Sequence, residues 1–159
     1  MRDTNKHATT VNGTGGAIWP GDSAVHKRSP YTMALIPEKK RNVVVLGASP
    51  KPDRYSNQAV RLLASFDYRP IPINPGYDQI EGLPCFPKLA AIDEPVHTIT
   101  LYLGPARSTP LIDEIVTAKP QRIILNPGAE NEELAAAASG AGIEVVEGCT
   151  LVMLRTGLF

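Results

Sequence analysis

The residues with most chemical capacity lie together in one loop, "GASPKPDRYS", Gly47 to Ser56, directly after an apolar run. Gly47 permits a tight turn at the end of a strand. Ser49 offers a hydroxyl donor. Lys51 and Arg54 bring positive charge, and a guanidinium can hold two phosphate oxygens at once. A helix capped by Ser56 adds N–H groups and the positive end of its dipole. Pro50 and Pro52 stiffen the loop and remove two donors. A rigid surface turn with solvated Lys and Arg is the plainer alternative. The phosphate reading is preferred because the loop follows a strand and precedes a helix, as an anion site requires.

The loop lacks the marks of a dinucleotide site. Where G-x-G-x-x-G would place its second and third glycines stand Ser49 and Pro52. An acid for the ribose hydroxyls is due about 20 residues further on. The second apolar run ends instead in Asn74 and Pro75, and Asp78 follows a Pro-Gly turn. Tyr77 in that turn reads equally as a ring that packs on a ligand or as a surface residue. After the third run, Gly104 and Pro105 let the backbone pass close to a ligand, and Tyr102 is expected in the core. After the fourth, Asn126 can both donate and accept, which suits an amide-bearing ligand or a base edge. Glu130, Glu132 and Glu133 are expected as charges in the first turn of a helix. Cys85 and Cys149 are both expected to be buried and inert, Cys149 at the start of a short C-terminal helix. His97 opens a strand at its amino end and is expected to be structural.

These loops need a scaffold. The runs "NVVVLG", "RPIPIN", "HTITLYL", "QRIILN" and "IEVVE" alternate with helical or loop segments, the pattern of βαβ units around a parallel sheet. The predicted helices are "NQAVRLLASF" after Ser56, a short one in "PKLAAIDEP", one from Thr109 with Pro110 first, and one capped by Asn131. The expected fold is α/β: a single Rossmann-like, doubly wound, parallel five-stranded sheet of order 3-2-1-4-5. Its ligand crevice then lies at the carboxyl ends of strands one and four. Residues 1–38 are polar, without period, and are expected to be a disordered tail. Trp19 is read as a lone aromatic within it, and Met33 is an alternative start. Residues 39–159 form the predicted domain.

Composition narrows the function classes. A chain of 159 residues can bury a core. Its formal net charge of zero argues against a general nucleic-acid or anionic-membrane surface. No apolar run reaches the roughly 18 residues of a membrane span. The N-terminus lacks a signal-peptide apolar region, so a cytoplasmic location is expected. Two distant cysteines and three scattered histidines predict neither a disulfide nor a metal site. There is no G-x-S-x-G elbow, no G-x-x-x-x-G-K-[ST], and no nucleophile–His pairing, so no catalytic residue is assigned.

The segments "VVVLGASPKPDRYSNQAVRLLASFDYRPIPINPGY", "GLPCFPKLAAIDEPV", "NPGAENEEL" and "EGCTLVML" together resemble the small CoA-binding-domain proteins of bacteria. Those are stand-alone relatives of the N-terminal CoA-binding domain of the succinyl-CoA synthetase alpha subunit. The resemblance covers roughly residues 39–159. It implies CoA or an acyl-CoA as ligand. Phosphate would be held by Ser49, Pro50, Lys51 and Pro52, with contributions around Tyr77 and from Leu125 to Pro127. The combined candidate site is Gly47, Ala48, Ser49, Pro50, Lys51, Pro52, Arg54, Asn74, Pro75, Tyr77, Leu125, Asn126 and Pro127. The synthetase's phosphorylated histidine belongs to a second domain, so ligase activity is not expected. Besides CoA, a second copy of the chain or an acyl-CoA enzyme is the partner class implied. Two other readings stay open: a small NAD(P)-binding Rossmann protein, and an interaction subunit that kept the fold without the ligand.

Overall fold

The computed structural model describes residues 41–159. The expectations for residues 1–38, including Trp19 and the Met33 start, lie outside the described residues.

The first strand, β1 (Asn42–Leu46), carries the core. Side chains alternate between the two faces of a strand, and here both faces are covered. Val43 and Val45 join Ala48, Val60, Leu63, Ile80 and Leu154 on one side. Val44 and Leu46 join Ile99, Ile115, Leu125 and Leu134 on the other. Each Val, Leu or Ile side chain so removed from water stabilises the fold by roughly 1.5–3 kcal/mol.

Around β1 lie β2 (Arg69–Ile73), β5 (Thr98–Leu101), β6 (Arg122–Leu125) and β7 (Glu144–Glu147). All pair in parallel, in the order β2-β1-β5-β6-β7. The Rossmann-like α/β sheet is as predicted, but its order is 2-1-3-4-5 rather than 3-2-1-4-5. The reason lies in β2. Pro70 and Pro72 have no N–H, so a ladder along their side of the strand lacks its donors, and such a strand belongs at an edge. Its inner side pairs with β1 along its whole length. On the outer side only Phe86 bridges, donating its N–H to the Pro72 carbonyl at 3.0 Å. The wholly buried strand β5 takes the other flank of β1. The topological switch, where a ligand crevice forms, therefore falls between the strands one and three, not one and four.

Helix α1 spans Tyr55–Ser65. Arg54 occupies its cap, because the Arg54 carbonyl already accepts the first helical bond, from Gln58 N–H at 3.0 Å. Ser56, the expected cap, is instead a buried second helical residue. The stretch predicted to start at Thr109 begins earlier. Helix α2 (Pro105–Ser108) follows Gly104 with Pro105 first, and a 3-10 turn, Thr109–Leu111, leads into α3 (Ile112–Thr117). Helix α4 (Glu132–Gly140) starts as predicted: the Asn131 side chain accepts the Leu134 N–H at 3.1 Å, and Glu132 and Glu133 fill the first turn. Glu130 lies outside the helix and accepts the Gly128 N–H. Helix α5 (Thr150–Thr156) crosses back to α1, with Leu154 in the same core layer as Val60. Between β2 and β5 the chain makes a small hairpin, β3 (Gln79–Ile80) with β4 (Leu83–Pro84), then a 3-10 turn at Leu89–Ala91. The hairpin reverses at Glu81 and Gly82, both at positive φ.

Candidate functional site

The loop after β1 starts from a glycine that nothing else can replace easily. Gly47 has φ +90, and a Cβ there would lie 2.7 Å from Leu103 Cδ2. The strand thus turns while the chain beyond β5 passes against it. The Gly47 and Ala48 N–H groups both donate to the Ile73 carbonyl, at 3.2 and 3.1 Å. They are unavailable to a phosphate, and Ala48 is buried. Donors for an anion therefore begin at Ser49. Its Oγ accepts the Lys51 N–H at 3.2 Å, which leaves the hydroxyl proton free to point outward. Beyond it, Pro50 and Pro52 contribute no N–H.

Side-chain charge takes over from there. Lys51 and Arg54 are exposed, and neither side chain makes a hydrogen bond or ion pair among the described residues. No side chain caps the α1 amino terminus, and its first turn holds no acid. Three features that attract an anion, two cations and a helix start, lie within six residues of chain. The fully buried Asn57 anchors the loop from below. Its amide donates to the Ser49 carbonyl at 2.9 Å and to Glu81 Oε1 at 2.8 Å, and its Oδ1 accepts from Arg61 Nε at 3.0 Å. Arg61 also donates to the Pro52 carbonyl. The β3–β4 hairpin is thereby tied to the loop after β1, a link the sequence does not announce.

The Asn74 turn joins the same region. Asn74 Nδ2 donates to the Ala48 carbonyl, and its Oδ1 accepts the Gly76 N–H, both at 2.8 Å. With both ends of its amide engaged, Asn74 positions the two loops. Pro75 and Tyr77 are exposed beside it. Between these loops and the segment after β5 lies a cleft of about 160 Å³. Leu46, Ile73, Leu89, Leu103 and Leu111 make its apolar wall, with Gly47, Asn74 and Pro75 at the margin and Lys88, Arg107 and Glu114 as its charged groups. A larger depression, about 440 Å³, lies towards the amino ends of the strands, beside Val96 and Ala118. Its charged groups are Glu94, Asp113 and Glu114, which would repel a polyanion.

The fourth strand's end does not join the cleft. Leu125 and Asn126 are buried. Asn126 Nδ2 donates to Thr100 Oγ1 at 2.7 Å and to the Leu101 carbonyl at 3.0 Å, while Oδ1 accepts the Thr150 N–H at 2.9 Å. The amide is a clasp between β5, β6 and α5. Pro127 alone of the three is exposed. Thr100 and Thr150 hydroxyls bond each other at 2.7 Å. The Tyr102 hydroxyl is buried beside them without a hydrogen bond of sound geometry. Burial pushes its phenol up to about 12, against a smaller opposite pull from the two threonines. Cys85 and Cys149 are free and half-buried rather than fully buried. Burial raises the Cys85 thiol above its ordinary range, opposed in part by the Asn74 backbone. His97 sits at the amino edge, bonded to Thr98 Oγ1. Among the described residues no group of three His, Cys, Asp or Glu could hold a metal, and no helix is long and apolar enough to cross a membrane.

A five-stranded parallel sheet with an apolar cleft at its switch point defines a Rossmann-like α/β protein. Comparison with known proteins specifies the class further: residues 41–155 match the CoA binding domain family, and the chain belongs to it. It is 24% identical over 96 residues to the uncharacterized protein YneT of Bacillus subtilis, covering 60% of this chain and 71% of that one. It is 34% identical over 68 residues to acetate–CoA ligase [ADP-forming] I of Archaeoglobus fulgidus, covering 43% of this chain but 10% of the ligase. A solved structure of an uncharacterized protein, 39% identical, superposes with a TM-score of 0.72 over 76% of this chain and 98% of that one.

Proposed function

We propose that this chain binds CoA or an acyl-CoA and performs no catalysis of its own. The observation that carries the reading is the first loop: free Lys51 and Arg54 and an uncapped α1 terminus, opening beside an apolar cleft. Family membership and the likeness to part of an acetate–CoA ligase support CoA over other nucleotides. In this reading Ser49, Lys51, Arg54 and the helix start take the diphosphate, and the cleft takes the adenosine end. At about 160 Å³ the cleft is smaller than the roughly 300–1,000 Å³ that enclose a drug-sized ligand, so the pantetheine arm runs over the loops outside it. Asn57 and Asn74 hold the two loops in register. The protein acts as a carrier or sensor in the cytoplasm, alone, as an oligomer, or beside an acyl-CoA enzyme.

The test is thermal shift and calorimetry with CoA, dephospho-CoA, NAD and ATP. CoA at a hundredfold excess over its Kd should add about 2.7 kcal/mol to stability. A shift with NAD but none with CoA would transfer the chain to the NAD(P)-binding reading. No shift with any of the four would favour an interaction subunit.

A further inference from the structure

Lys88 and Arg107 are 19 residues apart and belong to different loops, yet they line the same small cleft. Lys88 stands just before the 3-10 turn, two residues beyond the Phe86 bridge on the outer side of β2. Arg107 lies in α2, directly beyond β5. They line one cleft only because β5 neighbours β1. Both are exposed, and neither makes a side-chain hydrogen bond or ion pair among the described residues. The one acid of the lining, Glu114, is held on the Ala90 N–H through Oε1 at 2.9 Å. Two cations against one engaged carboxylate leave the cleft mouth positive.

The floor between them is apolar, formed by Leu46, Ile73 and Leu103. An apolar floor suits a ring, and a positive rim suits an anion attached to it. In sheets of this kind the nucleoside lies at the end of strand two, and the residues following that strand read the ribose substituents. An acid there accepts free hydroxyls; a cation takes a ribose phosphate. This chain has no acid in the lining from the loop after β2; that segment brings Lys88, and the segment after β5 brings Arg107 beside it. The diphosphate has its own cations, Lys51 and Arg54, on the other side of Gly47.

We propose that Lys88 and Arg107 form a second phosphate subsite that reads the ribose 3′-phosphate of CoA, so that this chain selects CoA over dephospho-CoA. The inference rests on the CoA reading above. A phosphate monoester carries nearly two negative charges at neutral pH, and a charge-assisted pair of contacts supports about tenfold selectivity or more.

Calorimetric titration of CoA and dephospho-CoA into the wild-type chain, Lys88→Ala/Arg107→Ala and Lys51→Ala/Arg54→Ala tests it. Wild type should prefer CoA about tenfold, with the preference shrinking as salt rises. In Lys88→Ala/Arg107→Ala the ratio of the two affinities should fall to about one. In Lys51→Ala/Arg54→Ala both ligands should weaken while their ratio persists. Equal binding of both ligands to wild type overturns the subsite and leaves the CoA reading intact. So does a ratio that survives in Lys88→Ala/Arg107→Ala and is lost in Lys51→Ala/Arg54→Ala. Binding of neither ligand to wild type overturns the CoA reading and the subsite with it.

Discussion

The ends of β1 and β6 are both carboxyl ends of buried parallel strands, and both are followed by a turn rich in Pro, Gly and polar residues. Their polar groups have opposite fates. After β1, Ser49, Lys51, Arg54 and the α1 terminus face outward with capacity left over. After β6, Asn126 has three hydrogen bonds and is 2% exposed. Both ends were candidate ligand positions by their place after a strand. What separates them is whether the fold has already used the donors and acceptors. A polar residue at a strand end belongs to the scaffold when its groups are satisfied, and to a ligand when they are not.

The largest test of that contrast is Asn126→Ala. It leaves the buried Thr150 N–H without its acceptor and removes the amide donor from Thr100 Oγ1, so stability should fall by about 3 kcal/mol in a denaturant titration. CoA affinity of the folded protein should change less than threefold. A tenfold loss of affinity with stability intact would make Asn126 a ligand contact and erase the contrast. Gly47→Ala probes the other end. A side chain at φ +90, pressed on Leu103, should cost about 2 kcal/mol. Because Leu103 lines the cleft, CoA should weaken as well. An unchanged melting temperature would show that the turn relaxes freely.

The next effect is electrostatic and confined to the open loop. Lys51→Ala/Arg54→Ala should leave stability within about 0.5 kcal/mol, since both side chains are exposed and unpaired. An effect confined to alkaline pH sharpens the closed end. Tyr102 is raised to about 12 in the fold by burial, against an ordinary value of 10. Its unfolded form loses the proton first, so its contribution is intact below pH 10 and declines as pH rises towards 12. Between pH 10 and 11 the wild type should lose about 1 kcal/mol more than Tyr102→Phe. Parallel alkaline profiles would mean that the phenol is accessible and the region less closed.

The alternation of short apolar runs with helices was enough to read a five-stranded parallel sheet, and Asn131 announced its own helix. The neighbour order was harder, because a crossover does not say on which side the next strand lands. Pro70 and Pro72 held that information, since two missing donors on one side mark an edge. Reading them would have brought the loop after β5, and with it Arg107, beside β1. Lys88 has no local signature; only the Phe86 bridge carries it to the cleft. The loop from Gly47 to Arg54 stood out as a candidate anion site from residue types alone. That its first two N–H groups serve Ile73 depends on the pairing of β1 with β2, which no local pattern encodes. Ser56 had the right chemistry for a cap, but the Arg54 carbonyl had already begun the helix.

The open loop after β1 is proposed to bind the phosphates of CoA. Titration of CoA into the wild-type chain and into Lys51→Ala/Arg54→Ala, at low and high salt, tests it most directly. Saturable binding is expected for the wild type, weaker by about tenfold in the variant, with a smaller salt dependence once the two cations are gone. No binding of CoA to the wild type at millimolar concentration, or equal affinity and equal salt dependence in both proteins, would contradict it.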